Sequence, residues 1–249
     1  MSKYIKTPVT ITYDEVKNNN YSLSAQQYKT LLIKNNNLLE VRDFLTRELK
    51  RSDLGKEVGS INYIDKSTKY FLRTKALQKH SFLPEINSET AKPILPKVFE
   101  QMNLKEGDLI ISKDSNIGEI IILDKDYPDY MLSGALYKLP VNQNLKYYLL
   151  SFIKHDIFRE QLDILVPSGA TIRHAKTLFL DCKIPIPNDN TEKIIKYVSL
   201  LTQAIINKEK EIRKKHKKIL NKIETELFSN QKPNKFYFSY PKINDVLAP

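Results

Sequence analysis

The sequence predicts an α/β (α+β) protein: one domain of short strands and helices, followed by a long C-terminal coiled-coil-like helix. Three observations predict it. Apolar runs of strand length, such as Leu109-Ile110-Ile111 and Ile120-Ile121-Ile122, are bounded by Gly, Asn and Asp, the residues that punctuate strands. Over 144–165 the apolar residues return every three or four positions, the period of one helical face. Beyond Pro187 an apolar seven-residue repeat runs to Phe228 without a Gly or Pro.

From the N-terminus, residues 1–37 are polar, with Pro8 and Asn runs at 18–20 and 35–37; they predict extended chain and short turns. Leu38, Val41, Leu45 and Leu49 are spaced by three and four, which fits an amphipathic helix over 38–50 or a short strand leading into one. Gly55, Gly59 and Pro84 frame strand-like runs at 61–64 and 69–74. Gly107-Asp108 reads as a turn. After it come a strand at 109–112, a small polar loop at 113–118 ending in Gly118, and a second strand at 119–123. Residues 130–139 read as a further strand pair. Tyr148, Leu149, Phe152, Ile153, Ile157 and Leu162 predict one helix over 144–165, ended by Pro167-Ser168-Gly169. Residues 170–176 are a polar loop, and 178–187 a buried strand containing Cys182.

The long helix has its N-cap candidates at Asn188-Asp189-Asn190-Thr191 and an acid, Glu192, in its first turn. Val198, Ile205, Ile212 and Ile219 recur at sevens. Ile194, Leu201, Leu220, Ile223 and Leu227 add a partial second row, interrupted by Lys208 and Lys215. Such a broken pattern predicts a partner surface and not a self-sufficient zipper. The interface expected from it is Ile194, Val198, Leu201, Ile205, Ile212, Ile219 and Ile223. At ~1.5 Å per residue the helix is roughly 55 Å long, too long to lie on a domain whose radius of gyration is roughly 16 Å. The expected divisions are therefore a domain at 1–187, a helix at 188–228 and an arm at 229–249 carrying Pro233, Pro241 and an aromatic run.

The chain has 249 residues, 41% of them hydrophobic, enough for a real core. Forty Lys and Arg against 29 Asp and Glu give a net charge of +11. That balance favours polyanionic partners, nucleic acid above all, although a Lys-rich composition accounts for part of it. Residues 208–218 hold seven Lys or Arg and two Glu, either a solvated helix face or a phosphate contact. Cys182 is the only cysteine, so an intrachain disulfide and a cysteine-rich zinc site are excluded. The N-terminus has no apolar signal core, and no stretch approaches 18 apolar residues; a soluble, cytoplasmic protein is expected, away from membranes.

Catalytic chemistry finds little support. The six glycines never form a G-x-G pattern, and there is no Pro-Pro dipeptide and no phosphate-binding G-x-x-x-x-G-K-[ST] loop, so neither nucleotide hydrolysis nor DNA methylation by this chain is expected. The four histidines form no H-x-x-x-H pair, and no metal site is predicted. A magnesium-dependent nuclease needs clustered carboxylates with an acid-x-Lys pair. Asp181-x-Lys183 and Glu15-x-Lys17 have that spacing, which is short enough to arise by chance in a Lys-rich chain. No catalytic residue and no cofactor is assigned.

Three polar clusters fit the reading of bases: Lys69, Arg73, Thr74 and Lys75; Lys113, Ser115 and Asn116; and Ser168, Thr171, Arg173 and His174. Arg and Lys suit guanine edges, Asn suits adenine, and hydroxyls suit either a base or a phosphate. Polar loops occur on every surface, so each cluster alone says little.

Taken in order, Gly55-Lys56-Glu57-Val58-Gly59-Ser60, Tyr70–Thr74, Leu104–Ser112 with Ile117-Gly118, Ser168-Gly169-Ala170-Thr171, and Ile184-Pro185-Ile186-Pro187 leading into a long helix make a set. This set resembles the specificity (S) subunit of type I restriction–modification systems. The resemblance implies a target recognition domain that reads half of a split duplex DNA site. It also implies a helical spacer that binds methyltransferase (M) subunits and pairs with a second spacer. S-adenosylmethionine is then expected on the partner methyltransferase, and a restriction (R) subunit is a further potential partner. Complete S subunits carry two recognition domains and two spacers; this chain has one of each. It resembles a half-length form, which implies a homodimer or pairing with a second half-subunit, or else a fragment of a longer subunit. Two other readings remain: the magnesium-dependent nuclease, and a module that mimics an S subunit to modulate assembly.

Overall fold

Gly107 sits at φ +83°, a left-handed position that favours glycine, and it starts the first of two small central sheets. In a computed structural model, residues 4–166, 175–229, 231–232 and 235–236 are described. The strands are β1 (Ile5–Lys6), β2 (Thr30–Leu31), β3 (Leu38–Glu40), β4 (Tyr70–Leu72), β5 (Ala91–Pro93), β6 (Leu109–Ser112), β7 (Ile120–Ile122), β8 (Tyr130–Leu132), β9 (Leu136–Leu139), β10 (Lys183–Pro185), β11 (Gln231–Lys232) and β12 (Lys235–Phe236). The helices are α1 (Tyr13–Asn18), α2 (Lys146–Ile153), α3 (Asp156–Leu165) and α4 (Thr191–Ser229). By compactness the chain divides into residues 1–204 and 205–249.

Within the first unit, one sheet has the order β7-β6-β9, all antiparallel, with Leu109 opposite both Ile122 and Leu139. Every β6 and β7 residue is buried, which is why these strands read as unbroken apolar runs and not as alternation. The other sheet has the order β5-β4-β8, with β4 antiparallel to β5 and parallel to β8. Here alternation decides the faces. Leu72 and Leu132 join the larger core with Leu104, Ile110, Ile121 and Leu136. Phe71 and Met131 point into a second cluster with Val58 and Ile94.

The expected strand pair at 130–139 exists as strands, yet the two do not pair with each other. β8 belongs to the β4 sheet and β9 to the β6 sheet. The three residues Ser133-Gly134-Ala135 carry the chain from one sheet to the other.

Three further expectations are corrected, and one open choice, at residues 38–50, is decided. The helix predicted over 144–165 is two helices: His155 leaves helical geometry, and its side chain accepts a hydrogen bond from the Ile157 amide as the N-cap of α3. Both helices bury apolar faces, so the apolar period runs across the break unmarked. Residues 38–50 form β3 and a 3-10 turn at Val41–Phe44, the strand-first alternative, with no long helix. Residues 61–64 form the end of a 3-10 turn and a single bridge from Tyr63 to Ile94. Residues 178–187 begin as a 3-10 turn at Leu178–Asp181 before the three residues of β10. The polar N-terminal region also contains α1, closed by a capping box between Thr12 and Glu15.

β10 pairs antiparallel with β3, setting Lys183 opposite Glu40. α3 docks on this pair through Gln161, whose amide donates to Lys183 O (2.8 Å) and accepts from Lys183 N (2.6 Å). Cys182 beside it is fully buried, and burial pushes its thiol well above the ordinary range. The thiol therefore stays protonated and packs as a small apolar group.

α4 carries two distinct faces. Ser199, Thr202 and Ile206 are buried. Ile194, Leu201, Ile205, Ile212, Ile219, Ile223 and Leu227 are exposed, Ile212 to 59%, and Val198 is half-buried. At ~100° per residue the exposed apolar residues lie along one meridian, roughly a quarter-turn from the buried positions.

Candidate nucleic-acid interface

The turn Ser133-Gly134-Ala135 organises the polar loops by backbone hydrogen bonds. Ser133 N donates to Leu72 O (2.9 Å), at the root of Arg73-Thr74-Lys75. Lys113 N donates to Ala135 O (2.9 Å), at the root of the 113–118 loop. Ala175 N donates to Lys113 O (2.8 Å), where the chain returns from 167–174. Two of the predicted clusters, and the downstream root of the third, thus meet at one sheet-to-sheet crossing. Ser168, Thr171, Arg173 and His174 themselves lie outside the described residues.

The crossing is packed from behind by Leu54–Glu57. Gly55 N donates to Leu136 O and Lys56 N to Leu132 O, both at 3.0 Å. A β-carbon on Gly55 would collide with the carbonyl oxygens of Ser133 and Leu132, and one on Gly134 with the Glu57 carboxylate. Glycine at 55 is a condition of this close approach, because the atoms it faces are backbone, whereas the Glu57 side chain beside Gly134 can turn aside. The Ser133 hydroxyl is buried and has no hydrogen-bond partner among the described residues. Sequence reasoning missed this hub; the available signal was two isolated glycines beside short strands.

The 113–118 loop is held firmly at its base and open at its tip. Ser112 Oγ donates to Asp114 O (2.7 Å), and Lys113 pairs with the Asp114 carboxylate with both side chains largely buried. Lys113 is therefore committed to the loop itself. Ser115 takes a left-handed conformation (φ +62°) and Gly118 another (φ +79°). Gly118 abuts Phe158 and Leu162 of α3, with no room for a β-carbon. Next to it the buried Glu119 carboxylate meets Arg159 at 2.5 Å and Lys154 at 3.7 Å. This clamp between loop and helices was also not foreseen. Ser115 and Asn116 are exposed at the tip.

At the neighbouring loop, Arg73 is half-buried, with Arg73 N donating to Thr90 O (2.9 Å) and its guanidinium only 3.4 Å from Glu89 O. Thr74 opens a 3-10 turn, and the exposed Lys75 lies 3.7 Å from Glu89. Such long, solvated pairs hold a side chain weakly. Lys69 lies apart, beyond the other end of β4. It pairs with Asp129 (2.8 Å) and stands 4.5 Å from the Phe99 ring centroid. The structure thus brings Arg73, Thr74, Lys75, Ser115 and Asn116 to one region, ties Lys113 into its base and leaves Lys69 elsewhere.

The acid-x-Lys spacings have other employment. Asp181 pairs with Arg42 and Lys183 with Glu40 across β3 and β10, while Glu15 caps α1. Among the described residues, no three His, Cys, Asp or Glu gather where they could hold a metal ion. No helix among them is long and apolar enough to cross a membrane.

Among solved structures the chain is similar to the type I restriction-modification system S subunit from M. genitalium, at 13% identity and a TM-score of 0.48, over 80% of this chain and 49% of that one. It is similar also to the HsdS subunit from Thermoanaerobacter tengcongensis, at 13% identity and a TM-score of 0.43, over 72% of this chain and 39% of that one. The chain spans about half the length of the first of these. No curated protein matches it. The family model of the type I restriction modification DNA specificity domain matches residues 55–218, well over half of the sequence, and the chain belongs to that family.

Proposed function

We propose that the chain reads the sequence of duplex DNA with the loops rooted at Ser133-Gly134-Ala135 and holds a separate adenine methyltransferase over that site. Where a restriction subunit is present, it joins the same complex. The observation that carries this reading is the convergence of the loop roots on one crossing. Base reading needs several side chains held in fixed register against one groove, and loops hung from a shared, glycine-packed turn meet that need. In this reading Arg73, Thr74, Lys75, Ser115 and Asn116 face the DNA, joined by Ser168, Thr171, Arg173 and His174. Lys69 and Lys113 contribute through structure and charge. Residues 1–187 serve as the recognition domain, 188–228 as the spacer helix and 229–249 as a terminal arm. S-adenosylmethionine belongs to the methyltransferase.

The exposed stripe of α4 supports a second part of the proposal. Ile194, Val198, Leu201, Ile205, Ile212, Ile219 and Ile223 pair with the spacer of a second half, either another copy of this chain or a different half-subunit, and with the methyltransferase. Two-fold pairing would present two readers to an interrupted palindrome.

The test is capture of the complex from its native host together with methylation mapping, repeated with Arg73→Ala and Asn116→Asp. Methyltransferase capture and a defined site that relaxes in the variants are expected. Unchanged binding and site choice in both variants would remove these loops as readers. DNA cleavage with magnesium, abolished by Asp181→Ala, would establish the nuclease reading instead. Methyltransferase binding with no DNA affinity would point to the assembly-modulating module.

A further inference from the structure

At the end of the β7-β6-β9 sheet opposite the 113–118 loop lies a cleft of about 490 Å³ whose walls include Gly107, Asp108, Lys138, Asn142 and Lys146. Its charges do not balance. The Asp108 carboxylate oxygen Oδ2 already accepts from Lys105 N and lies against Lys138 Nζ, both at 2.7 Å. Lys138 also donates to Asn103 O (3.0 Å). One ammonium in the cleft is thereby answered and the other is not.

Lys146 is the unanswered one. The residue is only 8% exposed. Its Nζ donates to Gly107 O at 3.2 Å and lies 5.2 Å from the Tyr147 ring centroid. Among the described residues it has no carboxylate partner. A buried ammonium whose hydrogen bond goes to a carbonyl, and whose neighbouring carboxylate Asp108 is already paired with Lys138, is poorly compensated. Burial accordingly holds it below the ordinary lysine range, with the Asp108 charge opposing that shift.

Beside the paired Asp108 carboxylate, the cleft also offers a free donor. Asn142 Oδ1 is taken by Asn144 N (3.0 Å), which leaves the Asn142 amide NH2 to donate. Lys146 opens α2, whose cap residue Leu145 supplies no side-chain acceptor and whose first turn has no acid. The positive end of that helix therefore borders the same cleft.

We propose that this cleft binds a phosphate group, with Lys146 and Asn142 as its donors. The ligand completes the ion pair that Lys146 lacks. The site lies away from the reading loops and does not depend on them. Its phosphate is that of a small molecule, a free phosphate or a nucleotide; a phosphate of the DNA backbone has the same chemistry and is separated by experiment.

The experiment uses the full chain, titrated with inorganic phosphate and with ATP in the absence of metal and followed by calorimetry. Saturable binding is expected, at least tenfold weaker in Lys146→Met. Asn142→Asp changes an exposed residue and leaves folding unchallenged. It places a negative charge at the rim and should weaken binding at least as much. Duplex DNA is the second arm. If neither small ligand binds but the slope of log K against log salt shrinks by about 1 in Lys146→Met, the phosphate comes from the backbone. The proposal is overturned if both arms are silent, or if the small ligands bind wild type and both variants equally.

Discussion

Gly55 owes its identity to the backbone it faces. The carbonyls of Leu132 and Ser133 leave no space for a β-carbon, and carbonyls cannot turn aside as a side chain can. Gly55→Ala should therefore exceed the ~1–3 kcal/mol usual for overpacking and should blur base discrimination, because the loops are rooted there. A urea midpoint equal to wild type would show that the crossing yields more easily than its geometry implies. Asp53 gives a second residue-scale prediction. It accepts from both Arg47 terminal nitrogens (2.6 and 2.7 Å) and from Lys50 N (2.7 Å). The Arg47 hydrogen bonds, then the Lys50 amide, hold its carboxyl below the usual range against the cost of burial. A depressed folded pKa contributes stability that is complete above the unfolded value of about 3.9 and is lost as pH falls through the folded value. Melting curves taken from pH 7 to 2 should show Asp53→Asn well below wild type at neutral pH and converging with it in acid. A gap that persists unchanged at pH 2 would assign the loss to packing. Neither feature was legible beforehand: the glycine was visible as punctuation, and its two carbonyl neighbours lie some 80 positions further along the chain.

Elements were legible in proportion to their length. β6, its polar loop and β7 followed from composition, because a turn glycine and two fully buried runs leave few alternatives. α4 followed from 39 residues of uninterrupted helical pattern. Strands of two or three residues fall below any periodicity window, and 3-10 turns mimic helical spacing for one turn only. Hence 38–50 read equally well as a helix, and 178–187 read as all strand. The α2–α3 break was invisible because burial continues on both sides of His155. Topology was the least legible, since no local pattern says that β8 and β9 part company at Gly134. The two faces of α4 divide a structural role from a proposed interactive one, and single substitutions can separate them. Ile205→Asp and Ile212→Asp lie on the exposed meridian and should change monomer stability by less than ~0.5 kcal/mol. Each should weaken self-association or capture of the second half, as read by sedimentation velocity. Loss of thermal stability matching loss of association would mean that the stripe packs within the chain itself.

For the molecule as a whole, a net charge of +11 favours non-specific binding to polyanions, so affinity alone cannot distinguish a reader from a basic surface. Salt dependence combined with sequence choice can. Each phosphate neutralised contributes about −0.9 to the slope of log K against log salt. Lys75 is exposed and only loosely held by Glu89 at 3.7 Å, which suits a backbone contact. Arg73 and Asn116 carry the groups suited to base edges. Lys75→Ala should therefore reduce the slope by about 1 for every DNA sequence alike. Arg73→Ala should leave random DNA nearly unaffected and cost the preferred site about 1–3 kcal/mol. The two variants thus fail differently, one by salt and the other by sequence. If DNA is bound by two paired copies, each copy carries its own Lys75. The loss of slope then doubles to about 2, and a further Ile212→Asp change in α4 returns it to about 1 by separating the copies. Equal losses on preferred and random DNA in Arg73→Ala would place that side chain on the phosphates, leaving Asn116 and the 168–174 loop to supply the reading.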